Sequence, residues 1–391
     1  MRAGATIYLN RFKENINSVK LRVGQNRRIC VPVKADAYGH GAVRISKTAL
    51  EAGAYCLGVA TVAEGVNLRK GGINAPILLF SQPHPDEIPL LVKAGLAAFI
   101  SDEEFAAALN ERAAADKIKL PVHLKIDTGM GRIGCSMNEA LSLARFIKKC
   151  SNLGLAGTAT HLAVSDSADK KDIDFTGIQL TRFNKAVNAI KNAGINPGIV
   201  HAANSGAVIL HPNAWLDMVR PGILLYGYKT VQEYEAPVDH LKKLSKLSSL
   251  IVKPVMEFKC SVSLIKKIKK GESVSYGRTW TAEADTTVGV LSTGYADGLP
   301  RLAGNKWQVI INGDVYPLIG RISMDQCCVN LGPKPNVKRW DEAVIFGDDI
   351  YPEQSGAVMH SAAELASLVR TIPYEITCNI NGRVPRIYKG S

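Results

Sequence analysis

The chain has 391 residues, enough for two domains, and its 46% apolar and 21% charged content is that of a globular protein with a large core. No apolar run approaches the ~20 residues of a membrane helix, and the stretch from Met1 to Tyr8 is too short and too polar for a secretory signal. A cytoplasmic protein with no membrane partner is therefore expected. The formal net charge of +13 raises the question of nucleic acid. The densest basic segments, Lys242-Lys243-Lys246 and Lys266-Lys267-Lys269-Lys270, carry no interleaved aromatics to stack on bases. They read as solvated faces, and no nucleic-acid partner is expected.

From Arg11 to about Tyr228 the sequence alternates. Short apolar runs occur at Ile29–Val33, Cys56–Ala60, Ile77–Phe80, Ala97–Ile100, Val122–Ile126, Leu155–Thr160, Ile199–Ala202 and Leu216–Val219. Helical spacing fills the intervals, most clearly at Ala42–Ala52, Thr61–Lys70, Asp86–Ala94, Asp102–Arg112, Asn138–Cys150 and Phe175–Ala193. Asp102-Glu103-Glu104 places negative charge in a first helical turn, and Gly95 and Gly194 stand where helix ends are expected. Eight strand–helix units predict an α/β fold with an N-terminal (β/α)8 TIM barrel over residues 1–240. A doubly wound sheet satisfies the same periodicity.

After Tyr228 the rhythm changes. Gln232–Ser249 is charged and reads as a linker with some helical spacing. Strands then follow without intervening helices, at Val255–Leu264, Thr286–Ser292, Gln308–Ile311, Val315–Leu318, Gln326–Leu331 and Glu342–Phe346. Asn312-Gly313-Asp314 is a hairpin signal, and Ser361–Arg370 reads as one helix ended before Pro373. Residues 241–391 are thus expected to form a mostly β C-terminal domain. The eight cysteines include no CxxC, and Cys327-Cys328 are adjacent, so reduced and mostly buried thiols are expected, with no metal centre.

The first of these strands ends unusually. Ile29–Val33 runs into Lys34 and then Ala35-Asp36-Ala37-Tyr38-Gly39-His40-Gly41. An ammonium at the mouth of a buried strand is costly unless it is paired, snorkels or has a chemical task. Barrel active sites sit at the C-terminal strand ends. Those ends carry Lys34, Asp127-Thr128-Gly129-Met130-Gly131-Arg132, His161, His201-Ala202-Ala203-Asn204-Ser205 and Arg220-Pro221-Gly222-Ile223. Taken singly, His161 and His201 read as core histidines, Asn204-Ser205 as a helix cap and Arg220 as a surface arginine. Their joint placement at one rim points to a site.

Val-Lys-Ala-Asp-Ala-Tyr-Gly-His-Gly resembles the pyridoxal-phosphate lysine motif of the alanine racemases, and the markers of that family recur in order down nearly the whole chain. The resemblance implies that Lys34 is the Schiff-base lysine and that Tyr38 contacts the cofactor phosphate. Lys125-Ile126-Asp127-Thr128-Gly129-Met130-Gly131-Arg132 is similar to the family segment whose arginine, here Arg132, meets the substrate carboxylate side. Its lysine, here Lys125, is often carbamylated. His161 matches the histidine that packs on the pyridine ring. Asn204, Ser205, Gly222 and Ile223 match phosphate-binding pairs, and Tyr374 a further phosphate tyrosine. Arg220 matches the arginine facing the pyridine nitrogen. In the β half, Val274-Ser275-Tyr276-Gly277-Arg278 resembles the segment bearing a second catalytic base, Tyr276. Tyr295 matches a gate tyrosine, and Met324 and Asp325 match residues lining the substrate site. Asp36 stands where Asn is also common, and Pro221 where a bulkier residue often follows the arginine.

The implied activity is interconversion of L- and D-alanine by a two-base pyridoxal 5'-phosphate mechanism, supplying D-alanine for peptidoglycan, in a homodimer with shared active sites. The residue chemistry agrees. An arginine does not readily give up its proton, so it leaves the pyridine nitrogen unprotonated. Racemisation needs bases on both faces of Cα, for which Lys34 and Tyr276 are the candidates. Two other readings stay open: another Schiff-base barrel enzyme, such as a decarboxylase or lysine aldolase, and a non-catalytic pyridoxal-phosphate carrier. The β-half residues Tyr276 and Met324 argue against a carrier, and Arg220 argues against a decarboxylase that pairs the nitrogen with an acid.

Overall fold

The computed structural model describes residues 2–229, 250–347 and 360–390. The expected linker Gln232–Ser249, the expected boundary between residues 240 and 241, and the basic run Lys242-Lys243-Lys246 lie outside the described residues. The chain divides into two units, one of Phe12–Ala37 and Ala42–Val252, the other of Met1–Arg11, Tyr38–Gly41 and Lys253–Ser391.

All eight expected apolar runs of the first unit are strands: Arg28–Pro32, Cys56–Val59, Ile77–Leu79, Ala97–Ile100, Leu120–Lys125, Leu153–Ala159, Ile199–His201 and Met218–Val219. Each pairs in parallel with its predecessor up to the seventh, and the eighth pairs with the first through Arg28↔Met218 and Ile29↔Val219. The remaining seam is spanned by Asp217 N–H donating to the Val200 carbonyl at 3.0 Å. Val200 N–H returns a bond to Asp217 Oδ2 at 2.8 Å. This nearly closed sequential order is a (β/α)8 barrel and excludes the doubly wound sheet. Its interior is filled by side chains, including Cys30, Cys56 and Met218 in one cluster and Leu78, Ala97, Phe99 and Ala159 in another.

The helices form where local chemistry starts and stops them. Thr61 caps Val62–Lys70 in a reciprocal capping box with Glu64, and Asp102 caps Glu103–Ala115 through the Phe105 amide. Gly95 and Gly194 take φ of +59° and +71° just past helix ends, the left-handed position that favours glycine.

The second unit is mostly β. Its strands include Met256–Ile268, Thr286–Leu291, Gln308–Ile311, Asp314–Ile319, Cys327–Gly332 and Glu342–Phe346, in antiparallel ladders. Two further strands of its large sheet were not legible in the periodicity. Ala3–Tyr8 pairs antiparallel with Met256–Ile268 and parallel with Arg386–Lys389, so both chain ends build this sheet. The expected C-terminal helix is Ala362–Leu368, capped by Ser361. All eight cysteines are free thiols, six of them buried. Lys266, Lys267, Lys269 and Lys270 are exposed.

Ile311 pairs with Asp314 across Asn312 and Gly313, whose φ values are +53° and +89°. Positive φ at both central residues defines the tight hairpin turn that Asn-Gly favours. A β-branched side chain at the second position meets that backbone with strain. Gly313→Val should lower stability by about 1–3 kcal/mol, read as a fall in the urea midpoint at unchanged slope. A midpoint equal to that of the parent chain would show that the turn is not constrained.

Candidate active site

Lys34 follows the first barrel strand by two residues and is half-buried. The next four residues, Ala35, Asp36, Ala37 and Tyr38, have φ of +51°, +51°, +55° and +53°. L-residues make one left-handed turn here, at about 1–2 kcal/mol each. Hydrogen bonds hold it. Ala35 N–H donates to Glu64 Oε1 at 2.7 Å, Ala37 N–H to the Val33 carbonyl at 2.9 Å, and Ala42 N–H to Asp36 Oδ1 at 2.7 Å. Only an acceptor oxygen of residue 36 is used, which either Asp or Asn supplies.

The loop carrying Arg132 is built by Asp127. Its carboxylate accepts the amides of Gly129, Met130 and Gly131 at 2.8–3.2 Å. Burial pushes this acid up, but those amides outweigh it and hold it below the usual carboxylate value. Asp127 N–H to Cys135 O and Cys135 N–H to Lys125 O close the loop at its base, at 2.9 and 3.0 Å. Arg132 is exposed at the loop, whereas Lys125 is buried at 3% exposure. Burial, then the charges of Arg220 and Arg132, lower the Lys125 amine to about 7.

Arg220 is buried at 6% exposure. Nη1 donates to His201 Nδ1 at 2.6 Å, and Nη2 donates to the carbonyls of Thr160 and Ala202 at 2.8 and 3.1 Å and meets His161 Nδ1 at 3.4 Å. Nε has no hydrogen-bond partner among the described residues. Because a guanidinium only donates, His201 must accept at Nδ1 and carry its proton on Nε2. That proton faces His123 Nδ1 at 2.9 Å, which fixes the second ring in the same tautomer. Burial and then the Arg220 charge hold His201 well below its ordinary value and bring His123 to about 4, so both rings are neutral. Burial lowers Arg220 itself to about 10, which leaves it charged at neutral pH.

His161 is held well below its ordinary value by burial and then by Arg220, Lys125, Arg132 and Lys34. Four basic side chains therefore act on one ring. Lys125, Arg132 and Arg220 form no ion pair among the described residues. A barrel mouth of this charge is complementary to an anion. Sequence reasoning missed Gln179, which is fully buried and donates to the His161 carbonyl at 3.1 Å. It also missed His123, whose only signal was a histidine inside an apolar strand.

Ser205 Oγ joins the last two rim segments by accepting the amides of Gly222 and Leu224 at 2.9 and 3.4 Å. Asn204 caps the short helix Ser205–Leu210 through Ala207 N–H at 3.0 Å, so the bland reading of that pair holds alongside any other. The amides of Ser205, Gly206 and Ile223 lie in buried residues and have no acceptor among the described residues. Buried orphan donors are rare. Three of them beside a cationic mouth fit a phosphate ester, and a half-buried lysine at the same rim fits an aldehyde. The donor set thus suits pyridoxal phosphate.

The other unit holds two groups. Tyr38 and Tyr374 lie with ring centroids 5.7 Å apart. Tyr276, Tyr295 and Met324 are exposed, at 68%, 42% and 52%. Ser275 Oγ donates to the Arg321 carbonyl, Tyr295 N–H to Ser323 O at 3.1 Å and Ala296 N–H to Met324 O at 3.0 Å, which joins their segments into one patch. Asp325 accepts from Arg383 Nη2 at 2.8 Å. Beneath the patch, the fully buried Asp297 accepts both Arg2 terminal nitrogens at 2.7 and 2.8 Å, Arg383 Nε at 2.7 Å and Gly294 N–H at 2.9 Å. Nothing in the sequence announced this anchor.

Two family models match the chain: the alanine racemase N-terminal domain over residues 7–230 and the alanine racemase C-terminal domain over residues 255–388. The alanine racemase of Treponema denticola is 51% identical over 387 residues, covering 98% of this chain and 97% of its own. That of Treponema pallidum subsp. pallidum is 41% identical, covering 98% of both. Among solved structures, the alanine racemase of Clostridium difficile 630 superposes with a TM-score of 0.89 at 32% identity, over 100% of this chain and 96% of its own. The alanine racemase of Bacillus anthracis with bound L-Ala-P gives 0.87 at 29% identity, over 100% of this chain and 95% of its own.

The Asp297 anchor has a pH signature. Burial pushes the acid up, but Arg2, Arg383 and the Gly294 amide outweigh burial and hold it below the usual carboxylate range. A folded-state value below the unfolded one, about 3.9, contributes stability above that pH and loses it as pH falls through the folded value. Its arginine partners are 44% and 39% exposed, so the pairing is partly screened. Asp297→Asn should cost about 1–3 kcal/mol at pH 7 and flatten the loss of thermal stability below about pH 4. Melting curves between pH 7 and pH 3 that fall in parallel for both chains would refute this.

Proposed function

The chain belongs to the alanine racemase family and is an amino-acid isomerase, and from that premise we propose that it interconverts L- and D-alanine with pyridoxal 5'-phosphate held on Lys34. The proposed setting is the cytoplasm and the proposed use is D-alanine for peptidoglycan. Among the described residues, no helix is long and apolar enough to cross a membrane. The single observation that carries the reading is the cationic barrel mouth, where Lys34, Lys125, Arg132 and Arg220 together act on His161.

The amides of Ser205, Gly206 and Ile223 receive the phosphate, with Asn204 and Gly222 fixing that segment and the paired Tyr38 and Tyr374 offering hydroxyls. His161 supports the ring. Arg220, its two terminal nitrogens fixed on carbonyls and His201, would hold the pyridine nitrogen through its Nε donor and would keep its own proton. When bound, the cofactor would supply the electron sink for the pair left at Cα. Arg132 meets the substrate carboxylate. Lys125, whose amine is lowered to about 7 and so is about half neutral at pH 7, is suited to adding carbon dioxide as a carbamate with release of a proton, which puts an anion beside Arg132.

Lys34 Nζ and Tyr276 Oη move the proton at opposite faces of Cα. Lys34 serves D-alanine and Tyr276 serves L-alanine. Tyr276, Tyr295, Met324 and Asp325 form the part of the site that a two-fold related copy supplies. Their exposure on one patch supports that assembly.

Purified chain supplied with pyridoxal phosphate should be yellow, and borohydride should fix the cofactor's mass on the peptide containing Lys34. Circular dichroism of added L-alanine should decay to zero. A colourless chain with no adduct, or L-alanine that keeps its dichroism, overturns the reading.

Tyr276→Phe should lower turnover by ~10²–10⁴-fold, the size expected for one acid–base group. Mixing it with inactive Lys34→Ala tests the shared site. With subunits exchanged, one site of the mixed dimer carries both lesions and the other carries neither, so activity returns. A mixture that stays dead would place both bases on one chain.

A further inference from the structure

The carboxylate of Glu64 accepts three backbone amides. Oε2 takes those of Ala60 and Thr61 at 2.7 and 3.1 Å, while Thr61 Oγ1 takes the Glu64 amide at 3.2 Å. The two bonds between Thr61 and Glu64 are an ordinary capping box, and the Ala60 bond extends it by one residue. Oε1 makes a bond that capping does not require, to Ala35 N–H at 2.7 Å. Ala35 is the residue after Lys34 and the first of the four left-handed residues. A cavity of about 260 Å³ lies beside this turn, lined by Val33, Asp36, Ala42, Ala63, Glu64 and Asn67 among others. On that side the turn is bonded to a charged acceptor on the helix Val62–Lys70.

We propose that Glu64 is a positioning residue for Lys34, locking the left-handed turn by its bond to the Ala35 amide so that the lysine amine is presented at the barrel rim before cofactor arrives. The inference rests on the reading that Lys34 carries the cofactor. One carboxylate thus couples the strand that bears the lysine to the next strand–helix loop. A glutamine cannot do the same, because it has one acceptor oxygen to divide between Ala35 and the Ala60–Thr61 pair and its NH₂ would face an N–H.

Three chains separate positioning from helix capping. Thr61→Ala removes the capping box from its other side and leaves the Ala35 bond in place. Glu64→Gln disturbs both. Cofactor-free chains are titrated with pyridoxal phosphate and followed by the absorbance of the lysine-bound cofactor, with melting temperatures measured in parallel. Glu64→Gln should bind cofactor about tenfold more weakly or worse, as for loss of a hydrogen bond to a charged group. Thr61→Ala, with a comparable fall in melting temperature, should stay within about twofold of the parent. Hydrogen exchange on the unmodified cofactor-free chain should show the Ala35 amide protected. Equal affinities for the two variants, or an Ala35 amide that exchanges at the free rate, overturns the proposal. Should Glu64→Gln fail to fold, the exchange result decides alone. An unmodified chain that never takes cofactor on Lys34 defeats the functional reading instead.

Discussion

A guanidinium buried without a carboxylate is the constraint on which the barrel interior depends. Arg220 is 6% exposed, and among the described residues its guanidinium meets dipoles and no carboxylate: two carbonyls, His201 Nδ1 and, at 3.4 Å, His161 Nδ1. Burial of a charge is tolerated when its donors are satisfied. Each satisfied donor fixes something else. The bond to His201 sets its tautomer, which sets that of His123; in the barrel core His201 stacks on Phe99 and His123 meets the same ring edge-on. The carbonyls of Thr160 and Ala202 belong to two different strand ends. One side chain therefore decides the protonation of two histidines and joins two strand ends, with Nε left for a ligand.

The rim above it is built from backbone more than from side chains. The turn after Lys34 is left-handed over four non-glycine residues, and the loop bearing Arg132 wraps its amides around Asp127. The first spends local strain and the second uses glycines at positive φ, and both are held by a carboxylate that accepts amides. The carboxylates of Asp127 and Glu64 spend their oxygens on N–H groups and form no ion pair with Lys125, Arg132 or Arg220 among the described residues.

The second unit solves the opposite problem. It must display aromatic and sulfur side chains to solvent while keeping their segments fixed. Asp297 does this from below, with Arg2 drawn from the first residues of the chain and Arg383 from the last strand's approach. Arg383 continues to Asp325, so one ionic chain runs from a buried acid to the exposed patch. An exposed Tyr276 and Met324 on so rigid a base are suited to completing a surface elsewhere.

Much was legible in the sequence because it was local. Eight apolar runs, the helix starts at Thr61 and Asp102, the Asn312-Gly313 turn and the Asp127 loop each depend on residues a few positions apart, where backbone sterics and capping decide the outcome. The rim residues were legible for a related reason, since each follows directly on a strand whose end could be read. Tertiary structure alone decided the rest. Closure of the barrel rather than an open sheet depends on Arg28 meeting Met218, and periodicity carries no record of that pairing. Ala3–Tyr8 becomes a strand only because Met256–Ile268 is there to take its hydrogen bonds. His123 and His201 stand 78 residues apart, Arg2 and Asp297 295 apart, and Ala35 and Glu64 29 apart. In each case a buried or strained group must find its hydrogen-bond partner in space, and only the folded chain brings that partner within reach.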